Sequence, residues 1–278
     1  MGGMEEPFFF ESGERKLFGV THTPDVSVAD RGFLLIHPFG EEKLWSHRVF
    51  VNFAREAAAR GYPVLRFDLS GHGDSEGQTQ YCTVATYLAD IESAQARFHI
   101  DFPNVQNLGL VGLRLGASLA CLGTARTNIV SNLILWEPVL DGARYMQELL
   151  RINLSTQLAV YGSVKENREA LVRNMGRGIL TNVDGYLISR EFFDDCTSID
   201  LAQVGLGRAT ASSLVTQIAP NIKQKDRQEF IDFANTLPRG TFLKVEEPPF
   251  WREIKPYVSR AKNLISATLD HVENSGGF

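Results

Sequence analysis

Gly112-Leu113-Arg114-Leu115-Gly116 stands between a short apolar run, Leu108 to Gly112, and a helical pattern that opens near Leu115. A glycine-framed turn at a strand-to-helix junction is where a nucleophile elbow of the Gly-x-Ser-x-Gly type is built. The turn is sharp and strained, and its glycines let backbone and helix approach closely. In this chain the central residue is Arg114. A guanidinium stays protonated at neutral pH and cannot act as a nucleophile. Its chemistry is electrostatic: it pairs with a carboxylate of the protein, or it holds the carboxylate or phosphate of a ligand.

Two further loops belong to the same constellation. His37-Pro38-Phe39-Gly40 follows the first long buried strand, and Asp68-Leu69-Ser70-Gly71-His72-Gly73-Asp74-Ser75 follows the next. The first occupies the place of an oxyanion loop, with the N–H of Phe39 as one donor and that of Leu115 as the other. Pro38 has no N–H but leaves that of Phe39 free. His37 and His72 are read as loop braces, because such turns need side-chain bonds to satisfy their backbone. A serine-type triad would place its histidine after the last strand, near Glu246-Glu247-Pro248-Pro249-Phe250-Trp251, and none is there. His271 lies toward the far end of the closing helix. The usual acid position after Ile218 reads Ala219-Pro220-Asn221, so Glu137 at a strand tip is the candidate displaced acid. Ser118, one helical turn beyond Arg114, should face away from the oxyanion donors. Nucleophile and base are missing together, so the serine mechanism is not expected.

The elements that position these residues alternate. Phe8-Phe9-Phe10 and Leu17-Phe18-Gly19-Val20 flank a polar turn and read as a hairpin. Gly32 to Ile36, Tyr62 to Asp68, Leu108 to Gly112 and Asn132 to Trp136 are strands, the continuous apolar ones buried on both faces. Helices are predicted over about Ser46 to Arg60, with Ser46 as N-cap and Trp45 and Phe50 as a hydrophobic staple, and over Tyr87 to Phe98. Strands alternating with amphipathic helices give a mostly parallel, doubly wound α/β sheet. From about Asp141 to Gly207 the rhythm breaks into helical stretches over Tyr145 to Leu158 and Glu166 to Met175, then Val183 to Ile188, read together as an inserted helical lid. The core is thus predicted as 1–140 plus 208–278 and the lid as 141–207. The sheet resumes with Ala211 to Ile218 and Thr241 to Val245, and a closing helix is predicted over Pro256 to Val272.

Composition narrows the function. The 278 residues, 44% hydrophobic, suit one sizeable core. The net charge is −5 without any Lys/Arg-rich run, which argues against nucleic acid and against an anionic membrane surface. Cys82, Cys121 and Cys196 are widely spaced and odd in number, as expected of reduced thiols in a cytoplasmic protein. The start lacks a signal peptide pattern, and Glu6 replaces the Ser or Thr of a myristoylation signal. No apolar run reaches the roughly 20 residues of a membrane span. No cofactor or metal is expected, and a homo-oligomer is compatible with everything read.

Taken together, the chain resembles the α/β-hydrolase-superfamily proteins called exosortase-A-system-associated hydrolases. The resemblance rests on Phe8-Phe9-Phe10, Ile36 to Lys43, Asp68 to Ser75, the elbow with Arg114, Leu135-Trp136-Glu137-Pro138-Val139, Leu149-Leu150-Arg151 and Pro248-Pro249-Phe250-Trp251. It implies an α/β-hydrolase fold and a bacterial cytoplasmic protein linked to exosortase and exopolysaccharide systems. It implies no substrate. Two readings of Arg114 stay open: an ion pair with Glu137 or with Glu246 or Glu247 that fills the old active site, or an anion pocket formed with the Phe39 and Leu115 amides and lined by His37, Glu246 and Trp251. Correspondingly, the chain is read as a binding module for an anionic or acyl ligand. The alternative is an unorthodox ester or acyl hydrolase in which Glu137 or Glu247 activates water and Arg114 stabilises the oxyanion. Ser118 as a substitute nucleophile is a third, weaker idea.

Overall fold

Gly13, at φ 59°, turns the chain between strands β1 (Met4–Ser12) and β2 (Arg15–Thr23), whose antiparallel register sets Phe9 opposite Phe18 and Phe10 opposite Leu17. The predicted hairpin is therefore present. The computed structural model describes residues 3–26, 30–124, 130–204, 212–253 and 260–274. The apolar runs become β3 (Arg31–Ile36), β4 (Val64–Phe67), β5 (Asn107–Leu113) and β6 (Val130–Trp136). A two-stranded ribbon, β7 (Thr181–Val183) and β8 (Tyr186–Ile188), precedes β9 (Ser212–Ala219) and β10 (Gly240–Glu246). The main sheet has eight strands in the order β1-β2-β4-β3-β5-β6-β9-β10, antiparallel at β1/β2 and β2/β4 and parallel from β4 onward. This is an α/β-hydrolase fold.

Eight helices complete the described architecture: α1 (Glu41–Ala59), α2 (Val84–Asp101), α3 (Leu115–Thr124), α4 (Gly142–Tyr161), α5 (Arg168–Met175), α6 (Arg190–Thr197), α7 (Gln228–Thr236) and α8 (Lys262–Asn274). Successive strand residues point to opposite faces, so each buried strand feeds two cores. Phe33, Leu35, Ile134 and Trp136 pack with Phe50 and Phe53 of α1 and Leu264 and Leu269 of α8. Leu34, Ile36, Leu133 and Leu135 pack with Leu88 and Phe98 of α2 and Leu119 of α3. Burial on both faces explains why these strands read as continuous apolar runs.

The start of α1 differs from expectation. It begins at Glu41, with Gly40 at φ 62° and ψ −138° before it and no side-chain cap. Ser46 lies inside the helix, buried, its hydroxyl donating to the Glu42 carbonyl at 2.7 Å, so the expected cap and staple do not form. Gly40 supplies the left-handed turn, and Glu41 and Glu42 place negative charge where the helix dipole favours it. The chain leaves the sheet after Trp136 and re-enters it at Ser212, beside β6. The intervening segment holds α4, α5, α6 and the ribbon, whose turn uses Asp184 and Gly185, both at positive φ. It packs against both loops, with Phe192 stacked 4.8 Å from Phe39 of the oxyanion-type loop and Tyr186 5.4 Å from His72 of the glycine-rich turn. Parts of three expectations, Ala211, residues 205–207 and residues 256–259, lie outside the described residues. Among the described residues no helix is long and apolar enough to cross a membrane.

Candidate functional site

The elbow is built as its glycines require. A Cβ on Gly116 would stand 2.4 Å from the Ile36 carbonyl oxygen, and one on Gly112 would stand 2.4 Å from that of Gly116. Only glycine lets α3 start this close to β3 and β5. Arg114 occupies the apex at φ 54°, its N–H donating to the Trp136 carbonyl at 3.0 Å. One strand over, Glu137 directly follows β6 at φ 49° and donates its N–H to the Thr216 carbonyl at 2.9 Å. Two neighbouring parallel strands thus end in left-handed, non-glycine residues at the same level, which is backbone strain held at a site.

Arg114 does not pair with any carboxylate chosen from the sequence. Its Nε donates to Glu42 at 2.9 Å, and its Nη2 donates to Glu148 at 2.7 Å. Glu42 comes from the first turn of α1 and Glu148 from α4. Tyr145, one turn before Glu148, donates its hydroxyl to the second Glu42 oxygen at 3.0 Å and lays its ring 5.3 Å from the guanidinium carbon. Burial works against the charged guanidinium, but Glu42, Tyr145 and Glu148 outweigh it and hold the Arg114 pKa above its ordinary value. Burial also pushes the Glu42 carboxyl up, with Arg114 and Tyr145 pulling it back.

The expected partners are engaged elsewhere. Glu137, buried, is ion-paired with Arg227 and accepts the Ile218 N–H at 2.9 Å, and burial raises its carboxyl pKa. Its carboxylate is bonded to β9 and Arg227 and makes no ion pair with Arg114, whose charge nonetheless pulls its pKa down. Glu247, also buried, accepts the Asn263 N–H at 2.9 Å in the first turn of α8. Glu246 accepts the Ile222 N–H at 3.3 Å on the loop after β9. Each carboxylate caps a neighbouring backbone N–H instead, Glu247 at the start of α8 and Glu246 on the loop after β9.

Of the remaining predicted residues only Trp251 lines the cleft beside Arg114; His37, Phe39 and Leu115 do not. Trp251 stands where the triad histidine was sought, its ring centre 5.9 Å from the Arg114 guanidinium carbon. Leu115 is the buried first residue of α3. Phe39 is buried, with its ring against Phe192, His72 and Tyr186. Ser118 is fully buried and donates its hydroxyl to the Val139 carbonyl at 2.7 Å, so it faces away from the cleft as expected. His72 is a brace: its Nδ1–H donates to the Ser70 carbonyl at 3.2 Å, and its Nε2 accepts the Gly40 N–H at 3.2 Å. Burial pushes its pKa down to about 4. His37 is buried against Phe50, 4.2 Å between rings, and neither ring nitrogen has a partner among the described residues. Lys43 and Asp68, paired at 2.9 Å and both buried, lock α1 to the glycine-rich turn, and Ser75 ties that turn to Asp68 and Phe18.

Above Arg114 the strand ends open into a cleft of about 620 Å³. Of its thirteen described lining residues ten are charged, and two of the other three are Trp45 and Trp251. This lining suits a polar ligand far better than a long alkyl chain. Among the described residues no group of three or more His, Cys, Asp or Glu side chains could hold a metal ion.

Residues 31–184 match the family described as serine aminopeptidase, S33. The chain belongs to that family. The S33 match covers the oxyanion-type loop and the elbow and ends just past β7. Solved structures agree on the fold. Est1E from Butyrivibrio proteoclasticus, solved with bound ferulic acid, is 15% identical with a TM-score of 0.65, over 96% of this chain and 99% of that one. XC6422 from Xanthomonas campestris, described as an α/β serine hydrolase without lid, is 16% identical with a TM-score of 0.62, over 99% and 96%. The Pyrococcus furiosus esterase Pf2001 is 15% identical with a TM-score of 0.61, over 99% and 92%. At such identities the likeness is one of fold. No curated protein matches the chain. The S33 family is named for a serine, and at the elbow of this member the residue is Arg114.

Sequence reasoning missed Glu42, Tyr145, Glu148 and Arg227. A signal existed for three of them. Glu42 stands two residues past the His-Pro-Phe-Gly loop, and Tyr145 and Glu148 share one face of α4 by their spacing of three. Arg227, remote in the chain from Glu137, had none.

Proposed function

We propose that this chain is a binding protein on a hydrolase scaffold, taking a small polar ligand with an anionic group in the cleft at the strand ends, without serine-type turnover. The observation that carries this reading is the seat of Arg114: a fixed cation at the nucleophile position, clamped by Glu42 and Glu148 and faced by Trp251. With two carboxylates already on its guanidinium, Arg114 offers little net charge to a ligand. The cleft cations without an ion pair among the described residues are Arg151 and Arg252, the latter 5.7 Å over Trp251. They anchor the anion, and the two tryptophans receive the body of the ligand. The charged lining disfavours the acyl alternative. The unorthodox hydrolase loses support as well, because both oxygens of Glu137 are engaged and Glu247 does not line the cleft.

In this reading residues 141–207 act as the lid over the cleft, tied down through Tyr145 and Glu148. The resemblance to exosortase-associated proteins supports a cytoplasmic bacterial role beside exosortase and exopolysaccharide systems. The test pairs two assays on the purified protein. Short-chain nitrophenyl esters should not be turned over, while glucuronate or inorganic phosphate should raise the melting temperature, and Arg252→Ala and Arg151→Ala should remove that rise. Ester turnover lost in Glu137→Gln would establish the hydrolase instead. Absence of stabilisation by either anion would end the binding proposal.

A further inference from the structure

Seven of the fourteen large apolar side chains exposed among the described residues fall within 152–180. Leu158, Val160 and Tyr161 are each more than half exposed, at the end of α4, and Val164, Ile179 and Leu180 follow in the loops around α5. These loops form one surface. The Gln157 side chain accepts the N–H groups of Lys165 and Glu166 at 2.7 and 2.9 Å. Glu166 accepts from Asn174, whose carbonyl accepts the Ile179 N–H at 3.0 Å, and Asn153 donates to Asn182 on β7 at 2.6 Å. Scattered apolar side chains are ordinary on a surface, but a stitched cluster of this kind marks a contact.

The charges beside the cluster say what kind. Lys165, Arg168, Arg173 and Arg177 stand against Glu166, Glu169 and Asp184, the last bonded to Thr156 at 3.1 Å, a cationic surplus on a chain whose total is −5. None of the four is in an ion pair among the described residues. Arg55, Arg60, Arg144 and Arg190 elsewhere on the surface each face a carboxylate. A second copy of the chain docked symmetrically here would set unpaired cations against one another. A bilayer with anionic headgroups takes both features at once: apolar side chains enter the headgroup–acyl boundary while the cations meet lipid phosphate.

We infer that the 152–180 face is a peripheral docking surface for an anionic phospholipid bilayer. The sequence carried no such sign, because the four cations are spread over thirteen residues among apolar ones rather than gathered in a run. Arg151 and Ile152, at its border, also line the cleft mouth, so docking sets the cleft beside the bilayer. This holds whether or not the cleft binds an anion.

The experiment is co-sedimentation of the full chain with vesicles of phosphatidylcholine alone and with one third phosphatidylglycerol. The chain should pellet with the anionic vesicles and not with the neutral ones, and high salt should release it. Arg173→Ala and Arg177→Ala should each weaken partitioning roughly five-fold. Leu158→Glu with Tyr161→Glu, both exposed positions that leave the fold intact, should abolish it. Failure to pellet with anionic vesicles overturns the inference, as does equal binding to neutral ones. A concentration-dependent dimer that Leu158→Glu dissolves also overturns it and assigns the face to self-association.

Discussion

Replacing Arg114 with methionine removes the charge while keeping a long side chain at the same strained backbone position, so the φ penalty cancels. What changes is Glu42. Its side chain is 15% exposed, Arg114's is 13%, and after the substitution only the Tyr145 hydroxyl remains on that carboxylate. Stranding one member of a buried pair costs about 3–5 kcal/mol. The residual exposure and the tyrosine bond reduce this to roughly 2–4 kcal/mol, a large part of a typical domain's stability. Adding Glu42→Gln removes the stranded charge, so the double variant should be more stable than Arg114→Met alone by about 1.5 kcal/mol or more. The deficit of the single variant should also depend on pH. An unpaired buried Glu42 has a raised folded-state pKa, so the folded state is favoured below the unfolded value and disfavoured as pH rises through the folded one. The deficit should therefore be smaller near pH 5 than near pH 8. Urea unfolding of wild type, both singles and the double at the two pH values measures all of this. A deficit below about 1 kcal/mol, additive with Glu42→Gln and flat with pH, would refute the clamp.

Other consequences follow from the same geometry. Glu148 is 43% exposed on the guanidinium's outer side, so Glu148→Gln should cost under about 1 kcal/mol by the same urea assay. Gly116→Ala should destabilise by about 1–3 kcal/mol or prevent folding, since its Cβ meets the Ile36 and His37 carbonyl oxygens at 2.4 and 2.6 Å; thermal unfolding reads this directly. His22 and His72 are buried, and burial pushes each pKa down to about 4. A depressed histidine pKa favours the folded state above the unfolded value of about 6.5, and that stability is lost as pH falls toward the folded value. The loss is on the order of 3 kcal/mol for each group, so the urea midpoint should fall steeply between pH 6.5 and 4, and a flat profile would contradict it.

The parts of the site that local sterics dictate were legible in the residues. Gly112 and Gly116 frame the elbow because a Cβ at either would collide with backbone, and that demand shows in the sequence without knowledge of the fold. The sheet was legible because burial on both faces leaves strands almost wholly apolar. The partners of Arg114 were not, for two physical reasons. Reading the helix from Ser46 left Glu42 in a loop, although Gly40 already supplied the turn that starts α1. The strand-tip carboxylates looked nearest, but Glu137 turns at φ 49° to the Ile218 N–H, and Arg227 arrives from far along the chain to neutralise it. Proximity at a strand end is a property of Cα positions, whereas an ion pair depends on where a side chain is aimed.

Intact-mass measurement of the purified chain after exposure to a reactive fluorophosphonate tests the proposed absence of serine-type chemistry most directly. The mass should stay unchanged, since the elbow carries Arg114 and the Ser118 hydroxyl is buried on the Val139 carbonyl. A single phosphonyl adduct, absent from Ser118→Ala, would show an activated hydroxyl at the site and contradict the account.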